Sequence, residues 1–108
     1  MNIKRITAIV PADDLEAFER CLRAAGVPGM TIDNVRGFGE HANYFSSDLL
    51  RSNVRIEVYI GSERCDEVCM AICQFAREAH APAGILAVES IDRLIDLHTG
   101  REVQASHL

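Results

Sequence analysis

The sequence has no tryptophan, and aromatic residues make up only 6% of it. In a chain that is 48% apolar, core packing therefore falls to aliphatic side chains. Positive charge is also scarce: 11 Lys and Arg stand against 16 Asp and Glu, for a formal charge of −5. The basic residues are scattered, which excludes a nucleic-acid binder, because phosphate contacts need clustered Lys and Arg. No apolar run reaches the roughly 18 residues of a membrane span, so no membrane insertion is expected. Met1-Asn2-Ile3-Lys4-Arg5 lacks the apolar core of a signal peptide. The 4 cysteines show no CxxC spacing that would support zinc. Without an export signal they read as reduced thiols of a cytoplasmic protein. Internal linkers and low-complexity tracts are missing too, so residues 1–108 read as a single domain. A chain of this size can bury a real core, and assembly into a multimer would help it.

What is present is organised around Gly29-Met30-Thr31-Ile32-Asp33-Asn34-Val35-Arg36-Gly37-Phe38-Gly39. The β-branched Thr31, Ile32 and Val35 begin it as a strand. Gly37 and Gly39 then let the backbone turn sharply or approach a bulky group. The segment Glu40 to Ser52 that follows is polar, with Tyr44, Phe45, Leu49 and Leu50 set into it.

Ile3 to Val10 reads as a first strand, with Ile6, Ala8 and Val10 on one face. Asp13 and Glu16 have capping-box spacing ahead of a helix that carries Leu15, Phe18, Leu22 and Ala25. Gly26 suits the residue just past that helix. Val54, Ile56, Val58 and Ile60 alternate with Arg55, Glu57 and Tyr59, the clearest strand in the chain. Ser62 caps a second helix, whose buried stripe is expected to be Cys65, Val68, Cys69, Ile72, Cys73 and Ala76. Ile85 to Val88 reads as a strand, Ser90 to Arg93 as a turn, and Leu94 to His98 as a small fifth strand. The tail after Arg101 is expected to be loose. The order β-α-β-β-α-β predicts an α+β, ferredoxin-like sandwich, an antiparallel sheet with two helices on one face. The opposite face would carry Arg5, Thr7, Arg55, Glu57 and Tyr59. Burial of that face between subunits would make the protein an oligomer, with Arg55 and Glu57 able to pair across the interface.

This order, together with Gly29-Met30-Thr31, Val35-Arg36-Gly37-Phe38-Gly39, Val54-Arg55-Ile56-Glu57 and the closing Arg93…Thr99-Gly100, resembles the PII signalling proteins over nearly the whole chain. The resemblance implies a homotrimer with ligand sites in the clefts between subunits. It also implies a T-loop, here residues 40–52, that docks on a membrane transporter or an enzyme. Several segments depart from the family pattern. The T-loop is about half a dozen residues shorter. The Tyr-Arg-Gly segment with its modifiable tyrosine is missing, and Tyr44 stands in another context. The family's phosphate loop, Thr-Gly-x-x-Gly-Asp-Gly-Lys, reads here Glu78-Ala79-His80-Ala81-Pro82-Ala83-Gly84-Ile85. Its lysine position is Ile85, and the two late phosphate-binding arginines align with Asp96 and His98. Each charge-assisted hydrogen bond is worth about 1.5–3 kcal/mol, so these losses argue against ATP binding in the family manner.

The ligand-contact set that remains is Thr31, Gly37, Phe38 and Gly39, whose backbone N–H groups suit an anion or an adenine edge. Gly84 adds a backbone approach point, and His98 a pH-dependent anion contact. The effector itself is not named by the sequence; an adenine nucleotide or a small anion fits this set. Cys65 and Cys69 face the same way on a helix, and with His41 they invite a metal reading. The same cysteines sit on the core stripe, where free Cys behaves as a small apolar residue. The expectation is thus a regulatory sensor, with a metal-binding, CutA-like or efflux-associated trimer as the alternative. No nucleophile stands with a base and an orienting group, so no catalysis is expected.

Overall fold

The structure, a computed structural model, describes residues 2–35, 53–78 and 84–108. Its elements run β1 (Ile3–Pro11), α1 (Leu15–Ala24), β2 (Thr31–Val35), β3 (Asn53–Gly61), α2 (Ser62–Glu78) and β4 (Ile85–Ile91). The strands form one sheet in the order β2-β3-β1-β4, antiparallel throughout. This is the ferredoxin-like βαββαβ arrangement expected from the sequence.

Alternation decides which face each strand buries. Ile6, Ala8 and Val10 of β1 lie opposite Val58, Ile56 and Val54 of β3, and all six are buried. Phe18 and Leu22 of α1 and Cys65, Val68 and Ile72 of α2 cover them. Burying an Ile, Leu or Phe fully is worth about 1.5–3 kcal/mol, so this cluster carries most of the fold. The Phe18 and Phe75 rings meet edge to face, centroids 5.4 Å apart and planes at 89°.

α1 ends in a Schellman motif. The Gly26 N–H donates to the Arg23 carbonyl and the Val27 N–H to the Leu22 carbonyl, each at 3.0 Å. Gly26 has φ +80°, the left-handed conformation this closure needs, and Leu22 and Val27 share the core cluster. Arg64 of α2 reaches across and donates to the Ala25 carbonyl at 2.5 Å and the Gly26 carbonyl at 3.1 Å. The last carbonyls of α1 thereby gain a cationic donor.

Four local expectations are corrected. The Asp13 capping box does not form. Ala12–Asp14 make a 3-10 turn, and Asp14 takes the N-cap position without a side-chain cap bond. On α2 the buried stripe runs Cys65, Val68 and Ile72 and continues to half-buried Phe75, which has the Phe18 ring to pack on, while Cys73 and Ala76 are exposed. β4 continues to Ile91, and the expected fifth strand is a single bridge, Ile95 to Glu102. Hydrogen bonds from Val103 N–H to Leu94 O and from Asp96 N–H to Arg101 O close that small hairpin, with Gly100 at φ +73°. The tail after Arg101 is docked rather than loose. Ala105–His107 form a 3-10 turn, and the Ala105 carbonyl oxygen would lie 3.2 Å from a Cβ placed on Gly61. Residues Glu102 to Ala105 border a small cleft with Ile3, which is only 1% exposed although it lies on the face away from the helices.

Candidate functional site

Strand register brings the strand ends that flank two connecting segments to one end of the sheet. Val35, the last residue of β2, pairs with Asn53, the first of β3, and Asn53 also pairs with Pro11, the last of β1. Ile85, the first residue of β4, pairs with Ile9. Segments 36–52 and 79–84 therefore both join the sheet where β1 ends. Gly84 is glycine for a local reason: a Cβ there would run into the Ile9 carbonyl oxygen. On the helix side of this end lies a largely apolar cleft of about 300 Å³, bordered by Pro11, Ile72, Cys73, Phe75, Arg77 and Gly84.

The face away from the helices carries charge in pairs. Arg55 donates from Nη2 to Asp33 Oδ2, its register partner on β2. Its Nε is buried and has no hydrogen-bond partner among the described residues. Arg5 donates from Nη2 to Glu89 Oε1 at 2.6 Å and from Nε to the same oxygen at 3.2 Å. The bond to Glu89, followed by one to Tyr59, raises the pKa of the Arg5 guanidinium. Arg55 thus has a partner within its own chain, where the sequence suggested Glu57 across an interface. Periodicity placed Arg55 and Glu57 on this face, but Asp33 becomes a partner only once β2 and β3 are in register.

Among the sequence-derived site residues, Gly84 lies at the loop end. Thr31 is exposed on the same β2 but pairs with Glu57, four residues from Val35 and about 13 Å along the strand. His98 lies in the hairpin beyond the far end of β4, so one protomer does not bring it to Gly84. Its backbone N–H donates to Asp96 Oδ1 at 2.7 Å, and the Thr99 N–H reaches the same oxygen at 3.4 Å. Asp96 holds the turn, and Arg93 is tied to Glu102 at 2.7 Å. Gly37, Phe38, Gly39, His41 and Tyr44 lie outside the described residues.

The cysteines divide by burial. Cys65 belongs to the core, and Cys69 packs against it. The Cys69 thiol is pushed up to about 12, first by burial and then by Cys65 beside it. Burial, then the charge of Glu78, raises the pKa of Cys21, whose Sγ lies 3.6 Å from the Ala71 carbonyl oxygen. Among the described residues, no three His, Cys, Asp or Glu side chains group to hold a metal ion. A raised thiol pKa means less of the nucleophilic thiolate at a given pH. Native protein treated with iodoacetamide at about pH 8 should therefore be labelled fastest at exposed Cys73. Cys21 and Cys69 should react at least about tenfold more slowly, as read by mass spectrometry. Labelling of either as fast as Cys73 would contradict this account.

No described helix is long and apolar enough to cross a membrane. A family model described as nitrogen regulatory protein P-II matches residues 3–101. Nitrogen regulatory protein P-II 2 of Methanothermobacter thermautotrophicus is 30% identical over 106 residues, covering 91% of each chain. The P-II protein of Pasteurella multocida is 28% identical over 109 residues, covering 93% of this chain and 96% of its own. Nitrogen regulatory protein GlnK of Escherichia coli is 28% identical over 111 residues, covering 96% and 99%. Among solved structures, that of Arabidopsis thaliana PII bound to citrate superimposes with a TM-score of 0.78 at 24% identity, covering 95% of this chain and 90% of that one. At that identity it bears on the fold alone.

Proposed function

The chain belongs to the nitrogen regulatory protein P-II family, and on that premise we propose that residues 1–108 act as one regulatory domain, a homotrimer that senses a small effector between its subunits. The observation carrying this reading is that Val35, Asn53 and Ile85, the strand residues that flank segments 36–52 and 79–84, meet at one end of the sheet, beside a face lined by Ile9, Ile85 and paired charges. A second copy laid on that face would roof the loop end and form a cleft there. It would also allow Thr31 or His98 of a neighbour to reach a ligand that no single protomer can surround. Segment 40–52 would then report occupancy to a transporter or an enzyme in the cytoplasm. The relatives are named as regulators, and no catalytic role is proposed.

The effector carries little negative charge in this reading. Segment 78–85 has no Lys or Arg, and Ile85 is a strand residue on the open face. Asp96 is committed to its turn, Arg93 to Glu102 and Arg55 to Asp33. An adenine nucleotide with few phosphates, or a small anion such as bicarbonate, fits such a site better than a triphosphate. No observation favours the metal-handling alternative, since Cys65 and Cys69 are engaged in packing.

Light scattering coupled to size exclusion should give a trimer. Titration calorimetry with AMP, ADP, ATP, cyclic AMP, bicarbonate and 2-oxoglutarate should find a ligand, with ATP binding no more tightly than AMP. A monomer would overturn the reading. Heat from none of these ligands would overturn the sensing part of it, and tight ATP binding its charge assignment.

A further inference from the structure

We propose that the cleft on the helix side of the loop end is a second ligand site, complete within one protomer, that takes a free amino acid with an apolar side chain. The cleft has a volume of about 300 Å³. That is the low end of the range for small-ligand pockets, and it suits a molecule much smaller than a nucleotide. Pro11, Ile72, Phe75 and Leu86 give it walls that favour an apolar occupant over water.

Two opposite charges border the same cleft. Asp14 is the N-cap residue of α1, and its side chain makes no cap bond there. Arg77 lies in the last turn of α2. Among the described residues neither takes part in an ion pair, so their charged groups stand more than 4.0 Å apart. A ligand carrying one charge would leave the other unanswered. A zwitterion answers both: its carboxylate accepts from the Arg77 guanidinium, and its ammonium donates to the Asp14 carboxylate. The side chain on the same carbon then enters between the apolar walls. An amide side chain, as in glutamine, would be buried there without a partner and would lose affinity. The effector cleft proposed between subunits needs a neighbouring copy, whereas this site uses a single chain.

The test is titration calorimetry on the full chain with leucine, phenylalanine, glutamine, isocaproate (leucine without its ammonium) and isoamylamine (leucine without its carboxylate). Leucine or phenylalanine should bind once per chain, at least about tenfold more tightly than the other three. Asp14→Asn and Arg77→Gln should each weaken leucine binding at least about tenfold. Asp14→Asn should leave isocaproate binding unchanged, and Arg77→Gln that of isoamylamine, a selectivity that general loss of structure would not give. Saturating leucine should also slow iodoacetamide labelling of Cys73, which borders the cleft, at least about threefold. Circular dichroism checks that each variant is folded. No heat from leucine or phenylalanine at about 10 mM, glutamine binding as tightly, or leucine binding that ignores both substitutions or leaves Cys73 labelling unchanged would overturn the proposal. None of these outcomes bears on the intersubunit effector, and a monomer, which would overturn that reading, should still bind leucine here.

Discussion

Replacing Phe18 by alanine should lower the stability of the fold by about 3–5 kcal/mol. Phe18 is 0% exposed and sits where α1, α2 and the sheet meet. Its edge-to-face contact with Phe75 adds about 0.5–1.5 kcal/mol beyond area burial. With no tryptophan and few other rings in the chain, nothing nearby is large enough to refill the space. A domain of this size has a total stability of about 5–15 kcal/mol, so this one change removes a large share. Urea denaturation of wild type and Phe18→Ala measures it directly. Phe75→Ala, at a half-buried position, should cost clearly less. A loss below about 1.5 kcal/mol for Phe18→Ala would mean that the core closes around the gap, contrary to the packing described.

Gly84→Ala should produce the second large effect, at the loop end. The added Cβ meets the Ile9 carbonyl oxygen, with Val10 Cγ1 3.7 Å away. The first obstacle is strand backbone and cannot swing aside as a side-chain tip would. The start of β4 must part from β1, at a cost of about 1–3 kcal/mol. Hydrogen exchange at Ile85 to Ala87 should speed up, and effector affinity should fall at least about tenfold if segment 79–84 helps hold the ligand. Gly29 is the control. A Cβ there meets nothing within 4 Å, so Gly29→Ala should leave stability within about 0.5 kcal/mol and binding unchanged. Equal behaviour of the two variants would remove the structural reason for glycine at position 84.

Much of the fold was legible because strand alternation is strict. Ile6, Ala8 and Val10, and Val54 to Ile60, show a period of two that no helix could satisfy, and Gly26 marked the end of α1. The errors fall where neighbours in space decide. Phe75 takes the end of the α2 stripe because Phe18 is opposite it. Asp13 loses its cap because Pro11 leads directly into a tight 3-10 turn. The tail docks because Gly61 leaves room for the Ala105 carbonyl, which no local pattern announces. The site was less legible than the fold. Glycines and histidines were easily listed, but only register shows that Gly84 joins Val35 and Asn53 at one end of the sheet, while Thr31 and His98 lie elsewhere.

The pairing of Val35 with Asn53 closes the β2–β3 ladder directly beneath segment 36–52. The sheet thus owes nothing to that segment's length, and each doubling of a flexible connection costs only about 0.6 kcal/mol. A stretch of different size and sequence placed between the same two residues should leave the strands in place. In the proposed reading, where segment 40–52 meets a target, that part would be interchangeable and one scaffold could be re-addressed by a cassette swap.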